Sequence, residues 1–157
     1  MKFTRIPESA FKELVLNAGY LATTFDPTAG TAPEESALLG ATTGGINFSA
    51  VPSFADFGED IDNCPKNMKE LKQIESWDVK CSGTYVSASS ANVKSMLGAA
   101  EETTTSKVSK ITPRNDLKDS DFTDLWLLCD YSDKHGTTNG GFCAIHMLNT
   151  LSTGGFS

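Results

Sequence analysis

Short apolar stretches, each cut off by Thr, Ser, Gly or Pro, run the length of the chain and predict strands rather than long helices. Between Lys12 and Phe25 the positions Leu14, Val15, Leu16, Ala18, Tyr20, Ala22 and Thr24 predict a strand. A short helix competes for its start, because Phe11, Leu14 and Val15 stand at helical spacing after Ser9. Residues 26–35, rich in Pro, Thr, Ala and Gly, read as a loop. Ile46, Phe48 and Ala50 alternate as a strand that Pro52 brings towards its end or edge. An acidic loop covers 55–67. The clearest alternation follows it, with Trp77, Val79, Cys81, Gly83 and Tyr85 on one face and Asp78, Lys80, Ser82 and Thr84 on the other.

One helix is predicted, at about 89–98. Ser89 or Ser90 caps it, Val93, Met96 and Leu97 form its apolar stripe, and Gly98 ends it. A Thr/Ser/Lys segment over 103–110 leads to a strand around Val108 to Thr112, stopped by Pro113. Asp124–Tyr131 and Gly141–Leu148 then predict an antiparallel hairpin joined by the turn-rich connector Ser132–Gly140. Both of these strands are apolar on both faces, so each face needs a cover. A second sheet supplies one; the helix, a long loop or a neighbouring subunit supplies the other.

Length and charge narrow the function. At 157 residues the chain fits one domain with a real core. No apolar run reaches the roughly 18 residues of a membrane-spanning helix, and no membrane partner is expected. The first residues lack an apolar signal region, so the expected compartment is the cytoplasm where the chain is made. There, Cys64, Cys81, Cys129 and Cys143 read as reduced thiols rather than a disulfide frame. The net charge of −7, with 13 basic against 20 acidic residues, disfavours a protein that grips nucleic acid.

The residues of catalysis are sparse. Cys143 and His146 are three apart, which on a strand sends them to opposite faces and rules out a nucleophile–base pair between them. No Cys-x-x-Cys pair exists to begin a zinc site. Asp56, Glu59, Asp60, Asp62 and Asn63 crowd together but miss the spacing of a calcium loop, and a solvated or subunit-bridging acidic loop is expected instead. Ser9-Ala-Phe-Lys12 and Asp56-Phe-Gly58 match fragments of penicillin-binding and kinase motifs without their partner motifs. Gly44-Gly45 and Gly140-Gly141 precede strands rather than helix N-termini, so no phosphate loop is read. The expectation is a non-enzyme with no cofactor and no metal.

Four stretches carry a resemblance: Leu38-Leu-Gly-Ala-Thr-Thr-Gly-Gly-Ile-Asn-Phe48; Phe57-Gly-Glu-Asp-Ile-Asp-Asn63 with the Lys-rich run into Trp77; Pro113-Arg-Asn-Asp-Leu-Lys118 with Asp121-Phe-Thr-Asp-Leu-Trp126; and Asp130-Tyr-Ser-Asp-Lys134 with Asn139-Gly-Gly-Phe142 and Ile145-His-Met-Leu-Asn149. Together, over nearly the whole chain, they resemble the major tail (tail tube) proteins of long-tailed, non-contractile bacteriophages and prophages. The resemblance implies a mainly β, antiparallel sandwich or barrel-like tail tube fold with one flanking helix and long loops. It also implies a virion protein assembled in the host bacterial cytoplasm, closing into hexameric rings. The rings stack into a tube, alongside other tail proteins, through which DNA passes without specific binding. Family members continue beyond the segment resembling Thr150 to Phe156, so the resemblance implies a C-terminally incomplete domain in which Phe156 opens a further strand.

An acidic chain suits such a conduit, because a negative lumen repels phosphate within a Debye length of about 8 Å. For subunit contacts, length and composition select Leu38, Leu39, Phe57, Glu59, Asp60, Asp62 and Lys66, and at the hairpin tip Asp133, Lys134 and His135. The alternative is a non-enzymatic β-sandwich binding module of the adhesin or carbohydrate-binding type. Such a module would carry exposed aromatics in its loops, and those at 26–44 and 132–140 hold almost none.

Overall fold

A computed structural model describes residues 7, 10, 15–87, 89–131 and 142–156. In chain order the elements are β1 (Val15–Ala22), a 3-10 turn (Glu35–Ala37), β2 (Thr42–Asp56), β3 (Lys72–Tyr85), α1 (Ser90–Met96), β4 (Ala100–Thr105), β5 (Val108–Pro113), a second 3-10 turn (Asp119–Asp121), β6 (Thr123–Tyr131) and β7 (Phe142–Thr150). The protein is mainly β, with antiparallel sheets and a single α-helix among the described residues. It divides into two compact units, Met1–Gly45 with Thr84–Ser157, and Ile46–Gly83.

In the first unit β6 is the central strand of a three-stranded sheet in the order β1-β6-β7. Asp130 pairs with Phe142 and Leu125 with Met147, so the predicted hairpin forms in antiparallel register; its connector lies outside the described residues. The doubly apolar character of β6 has a direct structural meaning. Leu127 and Leu128 are neighbours pointing to opposite faces, and both are buried. Leu21 on β1 and Met147 on β7 bury the Leu127 face, and Ala22 joins Leu128 on the other. Burial of each large side chain contributes about 1.5–3 kcal/mol. Phe25, in the loop after β1, meets Trp126 and Phe142 edge-on, each at 5.4 Å, and helps cover the Leu128 face.

The predicted helix forms with the predicted punctuation. The Ser89 hydroxyl accepts the Asn92 amide at 3.2 Å, and Gly98 leaves the helix at φ 71°. A Cβ at Gly98 would stand 2.5 Å from the Ser152 carbonyl oxygen, so the segment after β7 passes close against this helix end. That segment holds no strand at Phe156. β4 pairs with β5 from Ala100↔Pro113 to Thr105↔Val108. The Thr/Ser/Lys reading of 103–110 misses β4, whose Glu-Glu-Thr-Thr-Thr run lacks the apolar alternation of a half-buried strand.

In the second unit β2 and β3 form a two-stranded ribbon closed by the loop 57–71. β2 runs through Pro52 to Asp56 rather than ending near it. The reason is that both strands of a two-stranded sheet are edges, where the missing proline N–H can face outward. β3 likewise starts five residues before Trp77, at Lys72. Gly44 and Gly45, at φ 75° and 84°, put left-handed backbone into β2 just before this unit begins at Ile46.

Candidate assembly surface

The ribbon carries the largest set of exposed apolar side chains in the described structure. Val51, Phe54, Phe57, Ile61, Ile74, Trp77 and Val79 each leave 50–58% of their surface in solvent. Strand alternation divides them. The Lys72 ammonium sits over the Phe54 ring at 5.4 Å, so Phe54 shares a face with Lys72 and with Ile74 two residues on. Trp77 and Val79 then occupy the opposite face, as does Val51, three residues from Phe54. Both faces of the ribbon are therefore apolar and wet. The sequence alternation sets Trp77 and Val79 on one face, and in the structure that face is open, with Trp77 57% exposed.

The loop at the ribbon end is built around Asp56. Its carboxylate accepts the Gly58 amide at 3.0 Å and the Asn67 amide at 2.9 Å. These two bonds, chiefly that from Gly58, hold the Asp56 carboxyl below its usual range, with Lys72 and Lys66 adding to the effect. Asn63 and Asn67 take left-handed backbone at φ 62° and 63°, and the Lys72 ammonium donates to the Asn67 side chain at 3.1 Å. Gly58 is buried, with Leu71, Asp56 and Cys64 so close that a Cβ would crowd all three. Asp56 thus acts as a clamp across the loop. Among the described residues, no three His, Cys, Asp or Glu side chains gather as a metal ion would require.

Of the residues chosen from sequence, Phe57, Glu59, Asp60, Asp62 and Lys66 share this loop, and all five are exposed. Leu38 and Leu39 belong to the first unit and have a different role. Leu38 bridges to Ala22, and the Leu39 amide donates to the Leu21 carbonyl at 3.0 Å, so this segment covers the outer edge of β1. Asp133, Lys134 and His135 lie outside the described residues. Sequence reasoning missed Val51, Phe54, Ile74, Trp77 and Val79 as surface. The available signal was the presence of large apolar residues at both odd and even positions of a ribbon that also carries Lys72, Asp78 and Lys80.

The first unit holds a polar cavity of about 310 Å³ between Lys94 of α1, β4 and the segment from Arg114 to Asp121. Arg114, with a side chain only 12% exposed, grips Asp121 through two bonds of 2.6 and 2.9 Å. Its Nε lies 3.4 Å from Glu101, which Lys118 also contacts, and its Nη1 donates to the Asp116 carbonyl at 2.8 Å. The Lys118 hydrogen bond lowers the Glu101 carboxyl first, and the Lys118 amide, followed by Arg114, lowers that of Asp121. Arg114, Glu101, Lys118 and Asp121 each have an opposite charge beside them, so the cluster fastens the end of β5 to the turn that leads into β6.

No family model, no curated protein and no solved structure matches the chain.

Proposed function

We propose that this chain is a non-catalytic, self-assembling structural subunit of the bacteriophage tail tube kind, forming hexameric rings that stack around a DNA passage. The observation that carries the reading is the β2–β3 ribbon. A two-stranded hairpin is marginal in water on its own and gains stability by packing a face. This one exposes Phe54 and Ile74 on one side and Val51, Trp77 and Val79 on the other. Covering half of each such side chain contributes roughly 1 kcal/mol apiece, which favours contact with further copies. The tail assignment itself rests on the resemblance in the four stretches around Leu38–Phe48, Phe57–Trp77, Pro113–Trp126 and Asp130–Asn149.

Light scattering behind size-exclusion chromatography, followed by negative-stain microscopy of the eluted species, tests this reading. Rings or tubes that disappear in a Trp77→Asp variant are the expected outcome. A protein that remains monomeric up to millimolar concentration overturns it. The exposed aromatics Phe54, Phe57 and Trp77 also bear on a glycan-binding module. Phe54 and Trp77 face opposite sides of the ribbon, so they do not form one stacking platform for a sugar ring. Saturable quenching of Trp77 emission by oligosaccharides would favour that module instead.

A further inference from the structure

Cys129 on β6 stands directly opposite Cys143 on β7. Directly opposed residues in an antiparallel pair have Cα atoms about 4.5 or 5.5 Å apart, depending on the pair type. Both values fall inside the roughly 4.4–6.8 Å that a disulfide spans. Opposed side chains also leave the sheet on the same face, so joining the two sulfurs takes a side-chain rotation and no strand has to turn over. All four cysteines of the chain are thiols in the structure, and Cys129 and Cys143 are both partly open to solvent.

The third strand contributes room. Gly19 on β1 is the other neighbour of Cys129, and a Cβ at Gly19 would come within 3.2 Å of the Cys129 sulfur. With no side chain there, Gly19 leaves the space beside β1 that the Cys129 sulfur occupies. Cys64 and Cys81 have no comparable arrangement. Cys64 sits in the 57–71 loop beside Met68, and Cys81 lies nine residues beyond the start of β3. At about 3.3 Å per residue that strand carries Cys81 some ~30 Å from the loop, and burial pushes the Cys81 thiol up, away from its reactive thiolate form.

We propose that Cys129 and Cys143 are a redox-responsive pair that closes into a cross-strand disulfide stapling β6 to β7. The oxidant is a low-molecular-weight disulfide of the glutathione class. One cysteine thiolate attacks a sulfur of that disulfide, forming a mixed disulfide and expelling one small thiolate. The second cysteine, deprotonated, attacks the protein sulfur of the mixed disulfide and expels the other. Two protein thiols lose two protons and two electrons, and one small disulfide becomes two small thiols. In a reducing compartment the exchange runs back. The closed ring encloses about 15 residues, which removes freedom from the unfolded chain and raises the melting temperature by roughly 3–12 °C. None of this depends on what the chain assembles into.

The test is equilibration of the full chain across glutathione buffers from reducing to oxidising, with acid quenching, alkylation of remaining thiols and non-reducing peptide mapping. The expected result is a Cys129–Cys143 linked peptide within the monomer, alkylated Cys64 and Cys81, and a melting temperature that rises on oxidation and falls back with reductant. A Cys64→Ser/Cys81→Ser variant keeps both effects, and Cys143→Ser loses both. Recovery of Cys129 and Cys143 as alkylated thiols from the most oxidising buffer overturns the proposal. So does linkage of either one only to Cys64, Cys81 or a second molecule. Peptide mapping of the unaltered chain decides the matter even if Cys143→Ser does not fold.

Discussion

The Trp126 indole and the His146 imidazole stack across β6 and β7, their centroids 4.0 Å apart and their planes within 4° of parallel. Phe25 abuts the indole edge-on, and Asp124 lies 3.6 Å from the imidazole Nε2. Aromatic pairs of this kind contribute about 0.5–1.5 kcal/mol beyond the area they cover. His146→Ala is therefore expected to lower the urea midpoint by that amount of stability with an unchanged slope. In a Trp77→Phe background, where Trp126 is the only tryptophan, the same change shifts the tryptophan emission to longer wavelength.

Arg114 is held by geometry as much as by charge. Its Nη2 donates to both oxygens of Asp121 while Nη1 donates to the Asp116 carbonyl and Nε faces Glu101, three directions that a single lysine ammonium cannot reproduce. Arg114→Ala is expected to lower the melting temperature by roughly 3–8 °C, and Arg114→Lys to recover only part of that loss. A double-mutant cycle with Asp121→Asn checks the coupling, which should appear as clear non-additivity.

Asp56, Glu101 and Asp121 all have carboxyl pKa values below the ordinary 3.8 and 4.5 of Asp and Glu. A depressed folded pKa contributes stability that is complete above the unfolded value and is lost as the pH falls through the folded one. The expected profile is a plateau above about pH 5 and a decline below about pH 4. Urea midpoints measured from pH 7 to pH 2 check this. Glu101→Gln makes the acid limb shallower, because one of the three groups no longer titrates.

Gly98 is required by two independent constraints, its φ of 71° and the Ser152 carbonyl in the space a Cβ would take. Gly98→Ala is expected to cost about 1–3 kcal/mol. Gly154→Ala, with nothing within 4 Å of its added carbon, serves as the control. Its denaturation midpoint should match the parent within about 0.5 kcal/mol.

Trp77→Ser tests whether the ribbon works between molecules or within one. Unfolding of the dilute monomer should change by less than about 1 kcal/mol, because Trp77 is already more exposed than buried. Association at higher concentration should weaken about tenfold or more, since each 1.4 kcal/mol of lost contact is a factor of ten. Sedimentation velocity across a concentration series measures both states.

Local signals account for what was legible in the sequence. α1 was readable because Ser89, the Val93/Met96/Leu97 stripe and Gly98 agree on one short span. The β6–β7 hairpin was readable because apolar residues fill both of its strands and turn residues separate them. Pro52 marked an end or an edge and the edge is what forms, but where β2 ends depends on its pairing with β3, which is not written locally. The Arg114 cluster draws on Glu101, Asp116, Lys118 and Asp121, whose meeting depends on the β4–β5 register. For the candidate surface, alternation located the Trp77 face but said nothing about whether another layer covers it.

Where β6 and β7 approach their open end, two residues, Leu148 and Asn149, stand opposite Asp124 alone, between the pairs Leu125↔Met147 and Thr123↔Thr150. Asn149 turns left-handed at φ 50°, and its amide donates to the Asp124 side chain at 2.9 Å instead of to a strand carbonyl. β7 is the outer strand of its sheet and exposes Leu148, so an incoming strand would find a template there. The bulge bends that template and breaks its repeat. Fibrillar, edge-on-edge growth along β7 is thereby limited to the few regular residues before Leu148, so the most exposed apolar position of this strand sits where a stacked strand could not stay in register.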